Sequence, residues 1–196
     1  LSITIIVGPV KAGKSKYLIE KYEELSSMGE KSQVFSSKFS LNEGETIQSR
    51  YGTSLKAIPI NTIFDIEHHL KYDTLNIFID EFQFLQMNRE DIKLFFNKNY
   101  HLYDFYIFGL DLDYQKSSFP LIGEVMCLGD IILKKHSNCD ICGEQNVGKY
   151  SLRLENNKPA DILENGNIIL LDNTYGDIKV EYKSVCEDCW RNIYHA

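Results

Sequence analysis

Residues 8 to 15 read Gly-Pro-Val-Lys-Ala-Gly-Lys-Ser and fit the pattern G-x-x-x-x-G-K-[ST]. No other stretch narrows the possible folds as much, because this pattern works only where a strand runs into a helix. Both flanks comply. Ile3-Thr4-Ile5-Ile6-Val7 is β-branched and apolar, as suits a buried parallel strand, and Lys16 to Met28 reads as a helix closed by Met28-Gly29. Gly8 and Gly13 let the backbone curl so that successive N–H groups face one point, with Pro9, Val10, Lys11 and Ala12 spanning the gap. The helix start at Lys14 adds the positive end of its dipole. A loop of this kind suits a nucleotide polyphosphate, with Lys14 on the β and γ phosphates and the Ser15 hydroxyl on Mg²⁺. The competing reading is a glycine turn followed by a lysine-rich helix start.

The rest of the chain supplies the context. Ser32 to Ser36 suggests a second strand, Lys38 to Lys56 a loop or loose hairpin, and Ala57 to Ile60 a short strand in which Pro59 removes a ladder donor. Ile63, Ile66, Glu67 and Leu70 follow helical spacing, and Leu75 to Glu81 is an apolar strand that ends in two carboxylates. Residues Arg89 to Asn97 suggest a helix and Asp104 to Gly109 another buried strand. This alternation predicts an α/β fold of the P-loop NTPase type, a mostly parallel sheet with helices on both faces. It stops near Lys134-Lys135, and from His136 onward the chain is rich in glycine and asparagine. Short strands are expected there at Lys149 to Leu154, Ile168 to Leu171 and Lys179 to Ser184. The expected domains are therefore a core over 1–135 and a small terminal domain over 136–196.

Charge and hydropathy remove several classes. With 21 basic against 28 acidic residues the net charge is −7, and no lysine or arginine cluster occurs, so non-specific nucleic-acid binding is not expected. No segment approaches the roughly 20 apolar residues that cross a bilayer, and the start lacks the features of a signal peptide. The expectation is a cytoplasmic protein whose cysteines are reduced unless they hold metal.

Two further constellations carry chemistry. Asp80, at the end of its strand, is placed to be the second magnesium group of a phosphate-loop protein, unless it is merely a strand-end acid facing solvent. Glu81 beside it could take a proton from water, as in an ATPase, or from a substrate hydroxyl, as in a kinase. Cys139-Asp140-Ile141-Cys142 and Cys186-Glu187-Asp188-Cys189 are two C-x-x-C knuckles, and four thiolates at this spacing can close a tetrahedral zinc site. Four protein ligands leave no open position for a catalytic water, so the zinc reads as structural; reduced core cysteines or a redox pair are the alternatives. Cys127 reads as a core residue and His136 as an exposed turn residue.

With these motifs in order, the chain resembles a divergent type II thymidine kinase, the cellular-type phosphate-loop nucleoside kinase with a zinc-bound lasso domain. The matching runs are 8 to 15, Ile-Asp-Glu-Phe-Gln-Phe at 79 to 84, Gly-Leu-Asp-Leu-Asp-Tyr at 109 to 114, and the two knuckles with Tyr182 ahead of the second. The resemblance implies that Glu81 deprotonates the 5′-hydroxyl of a deoxynucleoside. Gln83 and Phe84 would position that base and line the site, and Tyr114 would stand where a phenylalanine usually packs on the thymine ring. Ser151, Leu171 and Tyr182 would contact the nucleoside, with ATP and Mg²⁺ on the donor side. It further implies a homotetramer and feedback inhibition by thymidine triphosphate.

The departures concern the acceptor side. Ser37 to Asn42 replaces the usual Asp-x-Arg segment, Leu112 a glycine, and Lys116-Ser117-Ser118-Phe119 the usual Arg-Lys-Pro-Phe. Asp172 to Asp177 stands where a Gly-Gly turn is expected. A phosphate-loop ATPase with a zinc-ribbon interaction module, or a catalytically degenerate nucleotide-binding protein, is the alternative these departures leave open.

Overall fold

The computed structural model describes residues 1–41, 46–48, 52–162 and 173–194. The chain divides into two compact units. One comprises Leu1–Val7, Gly13–Leu110 and Phe119–Lys134, and the other Gly8–Ala12, Asp111–Ser118 and Lys135–Ala196.

The first unit is built on a parallel sheet whose strands each present a different side chain set to each face. Its strands are β1 (Ile3–Val7), β2 (Ser32–Ser37), β5 (Ile58–Ile60), β6 (Asn76–Asp80), β7 (Asp104–Gly109) and β8 (Ile131–Lys134), in the spatial order β5-β2-β6-β7-β1-β8. Every neighbouring pair is parallel. Because side chains alternate with period two, Ile5 and Val7, Ile77 and Ile79, and Phe105 and Ile107 enter one apolar layer, while Ile6, Phe78 and Phe108 enter the other. Layers on both faces explain why these strands read as unbroken apolar runs rather than as alternating ones.

The first layer is filled from outside by Ile66 of α2 (Asp65–His69), Ile92, Phe95 and Phe96 of α3 (Arg89–Asn99), and Ile122 and Val125 of α4 (Pro120–Met126). The second is filled by Leu18, Ile19 and Leu25 of α1 (Lys14–Ser27) and by Ile47 of a hairpin formed by β3 (Thr46–Gln48) and β4 (Ser54–Lys56). Asn88 starts α3 with a capping box, accepting from the Glu90 and Asp91 N–H groups while Asp91 accepts from the Asn88 backbone. Pro59 sits on β5 at the sheet edge, where a missing donor costs least. The helical spacing over Ile63 to Leu70 yields only α2, and neither α4 nor β8 has a counterpart among the predicted elements.

The second unit is loop-rich and small-stranded. β9 (Ser137–Cys139) pairs with β10 (Gly143–Gly148), and a four-stranded antiparallel sheet runs in the order β12 (Lys158–Pro159), β11 (Tyr150–Glu155), β14 (Ile178–Val185), β13 (Asn173–Tyr175). β11 and β14 lie where the sequence predicts strands; the one expected over Ile168 to Leu171 falls outside the described residues. In place of a Gly-Gly turn, Gly176 with φ 59° and Asp177 link β13 to β14, Tyr175 pairing with Ile178. A final helix, α5 (Glu187–Tyr194), supplies Trp190 to a core made with Leu152, Leu154 and Val185.

Candidate functional site

The phosphate loop has the backbone its sequence requires. Gly13 (φ 75°) and Lys11 (φ 64°) are left-handed, and Gly8 has φ 148°. A Cβ at Gly8 would collide with the Lys135 carbonyl oxygen, so no other residue fits there. Gly13 precedes α1 without a side-chain cap, and no acid stands in the first turn of the helix. The helix leaves its positive end unneutralised by acids of its own, which fits an anionic ligand. Lys14 is buried and Ser15 half-buried at this end.

Asp80 closes β6 and is only 4% exposed. Burial first, and then the neighbouring Glu81, push its carboxyl up to about 7, against the opposing pull of Lys14 and of the Glu81 N–H it accepts at 3.0 Å. A buried oxygen ligand whose negative charge one lysine does not fully compensate suits a hard dication. Asp80 and Ser15 therefore fit the residues that would hold Mg²⁺.

Glu81 leaves the strand in a left-handed conformation, φ 51° and ψ 42°, unusual for a residue with a side chain. A short 3₁₀ turn over Phe82–Phe84 follows and buries Phe82 completely. Gln83 then folds back: its Nε2 donates to Glu81 Oε2 at 2.5 Å, while its Oε1 accepts the Leu110 N–H at 3.0 Å. The Leu110 N–H can only donate, so the amide has one orientation and its NH₂ must face the carboxylate. Phe84 is half-buried between Phe39 and Phe119, with ring centroids 5.3 and 6.1 Å away. A Cβ at Gly109 would come within 2.6 Å of Gln83 Oε1 and 2.5 Å of Ile122 Cδ1. Gly109→Ala is expected to destabilise the first unit by about 1–3 kcal/mol, read by denaturant unfolding, by forcing that amide and Ile122 aside.

In the second unit the Sγ atoms of Cys139, Cys142, Cys186 and Cys189 all lie within 4.8 Å of one another. Cys142 and Cys186 are 3.6 Å apart, and a tetrahedron with arms of about 2.3 Å spaces its corners about 3.8 Å apart. Burial raises the Cys139 thiol, but N–H groups of Cys142, Cys186 and Ile141 outweigh it and bring it down to about 6. Burial and the surrounding thiols push Cys189 far up instead. One thiolate is favoured and another opposed, as expected where four thiols share a site that needs a dication to ionise them together. The Cys186 N–H donates to Cys139 Sγ at 3.3 Å and Asn146 Nδ2 to Cys142 Sγ at 3.2 Å, outer contacts of the kind that would orient the sulfurs around a bound metal. Cys127 lies outside the cluster and is exposed rather than in the core. His136 is exposed, as expected, and it takes no part in the cysteine cluster.

A family model described as thymidine kinase matches residues 1–190. The chain belongs to the thymidine kinase family. Curated thymidine kinases share this similarity over most of their length. That of Pseudothermotoga lettingae is 26% identical over 97% of this chain and 95% of its own, and that of Mycoplasma mobile 31% identical over 82% and 79%. A solved structure of a Thermotoga maritima RuvB variant aligns with 68% of this chain and 37% of its own at 17% identity, with a TM-score of 0.38.

Other residues that the thymidine kinase resemblance singles out fall as follows. Tyr114 is buried; its hydroxyl donates to the Asp161 carbonyl at 3.4 Å, and its own carbonyl accepts Trp190 Nε1–H at 3.4 Å. Ser151 is buried on β11 and its Oγ accepts the Val10 N–H at 3.2 Å, bringing it to the phosphate loop. Tyr182 is half-buried on β14, opposite Arg153. Leu171 lies outside the described residues. Arg153 is a residue that sequence reasoning misses: it is 5% exposed, pairs with Glu155 at 2.5 Å and stacks 5.2 Å from the Tyr114 ring. Its signal is a charged residue inside a strand whose neighbours Ser151, Leu152 and Leu154 are all buried. In this thymidine kinase family member, no helix among the described residues is long and apolar enough to cross a membrane.

Proposed function

We propose that the chain transfers the γ-phosphoryl group of ATP to the 5′-hydroxyl of thymidine or deoxyuridine. The observation that carries this reading is the held carboxylate: Glu81, aimed by the strand end at Asp80 and clamped by a Gln83 amide of fixed orientation. A base used for proton abstraction gains from being oriented before substrate arrives.

The bond that forms joins the 5′-oxygen to the γ-phosphorus, the bond that breaks is the β–γ bridge, and the hydroxyl proton passes to Glu81. The loop's backbone N–H groups, apart from Pro9, which has none, and Val10, whose N–H is given to Ser151, join the Lys14 ammonium in holding the phosphates and meeting the charge that develops on the bridging oxygen. Ser15 and Asp80 would hold Mg²⁺, which when bound would neutralise part of the phosphate charge. Tyr114 offers an aromatic face for the base. Phe84, Ser151, Leu171 and Tyr182 are proposed as further nucleoside contacts, on the strength of the resemblance. The four-cysteine site takes a structural Zn²⁺. The same reading extends to a cytoplasmic homotetramer.

A coupled ADP assay over a nucleoside panel tests it. Turnover is expected with thymidine and deoxyuridine, with one ADP per nucleoside monophosphate and little ADP formed without nucleoside. Equal ADP formation with and without every nucleoside would refute acceptor specificity and leave an ATPase.

A further inference from the structure

Three contacts tie residues 8–12 to the cysteine-bearing part of the same unit. Gly8 lies so close to the Lys135 carbonyl that no Cβ fits between them, and Val10 N–H donates to Ser151 Oγ. Lys11 Nζ lies 2.7 Å from Asp140 Oδ2, with the two side chains only 20% and 30% exposed. That same Oδ2 accepts the Ser184 N–H at 2.8 Å, and Asp140 N–H donates to the Ser184 carbonyl at 2.8 Å. Ser184 is fully buried and pairs across the sheet with Ser151.

Asp140 therefore has little freedom. It stands between Cys139 and Cys142 in the first knuckle, is pinned on both backbone and side chain to β14, and presents its charge to a loop lysine held at φ 64°. A left-handed conformation at a residue other than glycine persists only where surrounding contacts over-determine it. The ion pair is one such contact and Val10–Ser151 is the next.

We propose that Asp140 is a positioning residue for the phosphate loop: the knuckle fixes its carboxylate, the carboxylate fixes Lys11, and residues 8–12 are thereby held curled before ATP arrives. Preorganisation of this kind raises affinity by removing the ordering cost from the binding step. It also assigns Lys11 to the loop's own geometry, leaving Lys14 as the phosphate lysine. The inference rests on the phosphate-binding reading of residues 8–15.

The test uses full-length, zinc-loaded protein and a double-mutant cycle over Asp140→Asn and Lys11→Met, with zinc content measured for each variant and Mg·ATP affinity read by calorimetry. Asparagine keeps an acceptor for the Ser184 N–H and removes only the charge. Each single variant is expected to bind ATP about fivefold more weakly, and the double variant no more weakly than either, as befits two halves of one contact. Hydrogen exchange at the amides of Gly8, Val10, Lys11 and Ala12 is expected to quicken in ATP-free Asp140→Asn, which reads loop order independently of affinity. Tighter ATP binding by Asp140→Asn would mean that Asp140 merely competes with phosphate for Lys11, and would overturn the proposal. Additive effects, or unchanged exchange in the loop, would overturn it too. Absence of ATP binding by the wild type would instead refute the phosphate-loop reading, and this proposal with it.

Discussion

Replacing Glu81 by glutamine is expected to lower kcat for thymidine phosphorylation by about 10²–10⁴-fold, the range in which a positioned general base contributes. The substitution is nearly isosteric. Gln83 Nε2, held by the Leu110 N–H on its other side, can donate to the new amide oxygen as it does to the carboxylate, so the turn over Phe82–Phe84 has no reason to rearrange. What disappears is basicity. Mg·ATP binding should not suffer, because Glu81 is one of the two causes that raise Asp80, and removing its charge eases the ionisation of that buried acid. The signature is thus a fall in kcat with ATP affinity retained to within about threefold, the pattern of an interaction made mainly in the transition state. A variant with wild-type kcat would remove Glu81 from the chemistry. One that loses ATP binding in step with kcat would show that the carboxylate serves the metal-phosphate side instead. The degenerate-kinase alternative makes its own forecast: tight nucleotide binding with no turnover in either protein.

How legible this arrangement is from the residues depends on whether a feature is local in the chain. The loop at 8–15, the Asp80-Glu81 strand end and the paired C-x-x-C knuckles are short covalent patterns whose chemistry needs fixed spacing, and each has its expected surroundings. Buried strands such as Ile3–Val7 and Asn76–Asp80 announce themselves because both faces of the sheet are covered. The elements after Gly109 are different. The seven residues of α4 show too little periodicity to tell a helix from a loop, and β8 is an edge strand whose Ile131 and Ile132 remain nearly half exposed. The eight-residue α5 starts inside the second knuckle, where the cysteine spacing masks the helical one. Left-handed Glu81 and Lys11 carry no sequence signal at all, since neither is a glycine or an asparagine. Arg153 against Tyr114, Gln83 against Leu110 and Lys11 against Asp140 join residues far apart in the chain, so only the folded geometry reveals them.

Loss of a single zinc-site cysteine should have the largest structural effect. Cys139 and Cys186 are not appended to a core; with Leu152, Leu154, Val185 and Trp190 they are the core of the second unit. Among the described residues that cluster is small, and small domains of this kind often depend on a metal or disulfide to stay folded. Structural zinc contributes about 10–16 kcal/mol at neutral pH, comparable to or larger than the roughly 5–15 kcal/mol that holds an average domain together. Cys186→Ser removes one of the four proposed ligands, the sulfur 3.6 Å from that of Cys142, and the acceptor of the Cys189 N–H at the start of α5. The expected result is loss of stoichiometric zinc and unfolding of the second unit while the first retains its own transition, so that two-state analysis of the whole chain fails. The chain has one tryptophan, and it is 6% exposed in this core, so its emission reports on the second unit alone. A red shift of Trp190 fluorescence, reproduced in the wild type by a zinc-selective chelator with magnesium in excess, is the readout. Cys127→Ser, at an exposed cysteine outside the cluster, should leave both zinc content and emission unchanged. If Cys186→Ser kept its buried tryptophan signal after losing the metal, the apolar contacts of Trp190 with Leu152 and Val185 would suffice for folding. The cysteines would then have to be retained for something other than stability.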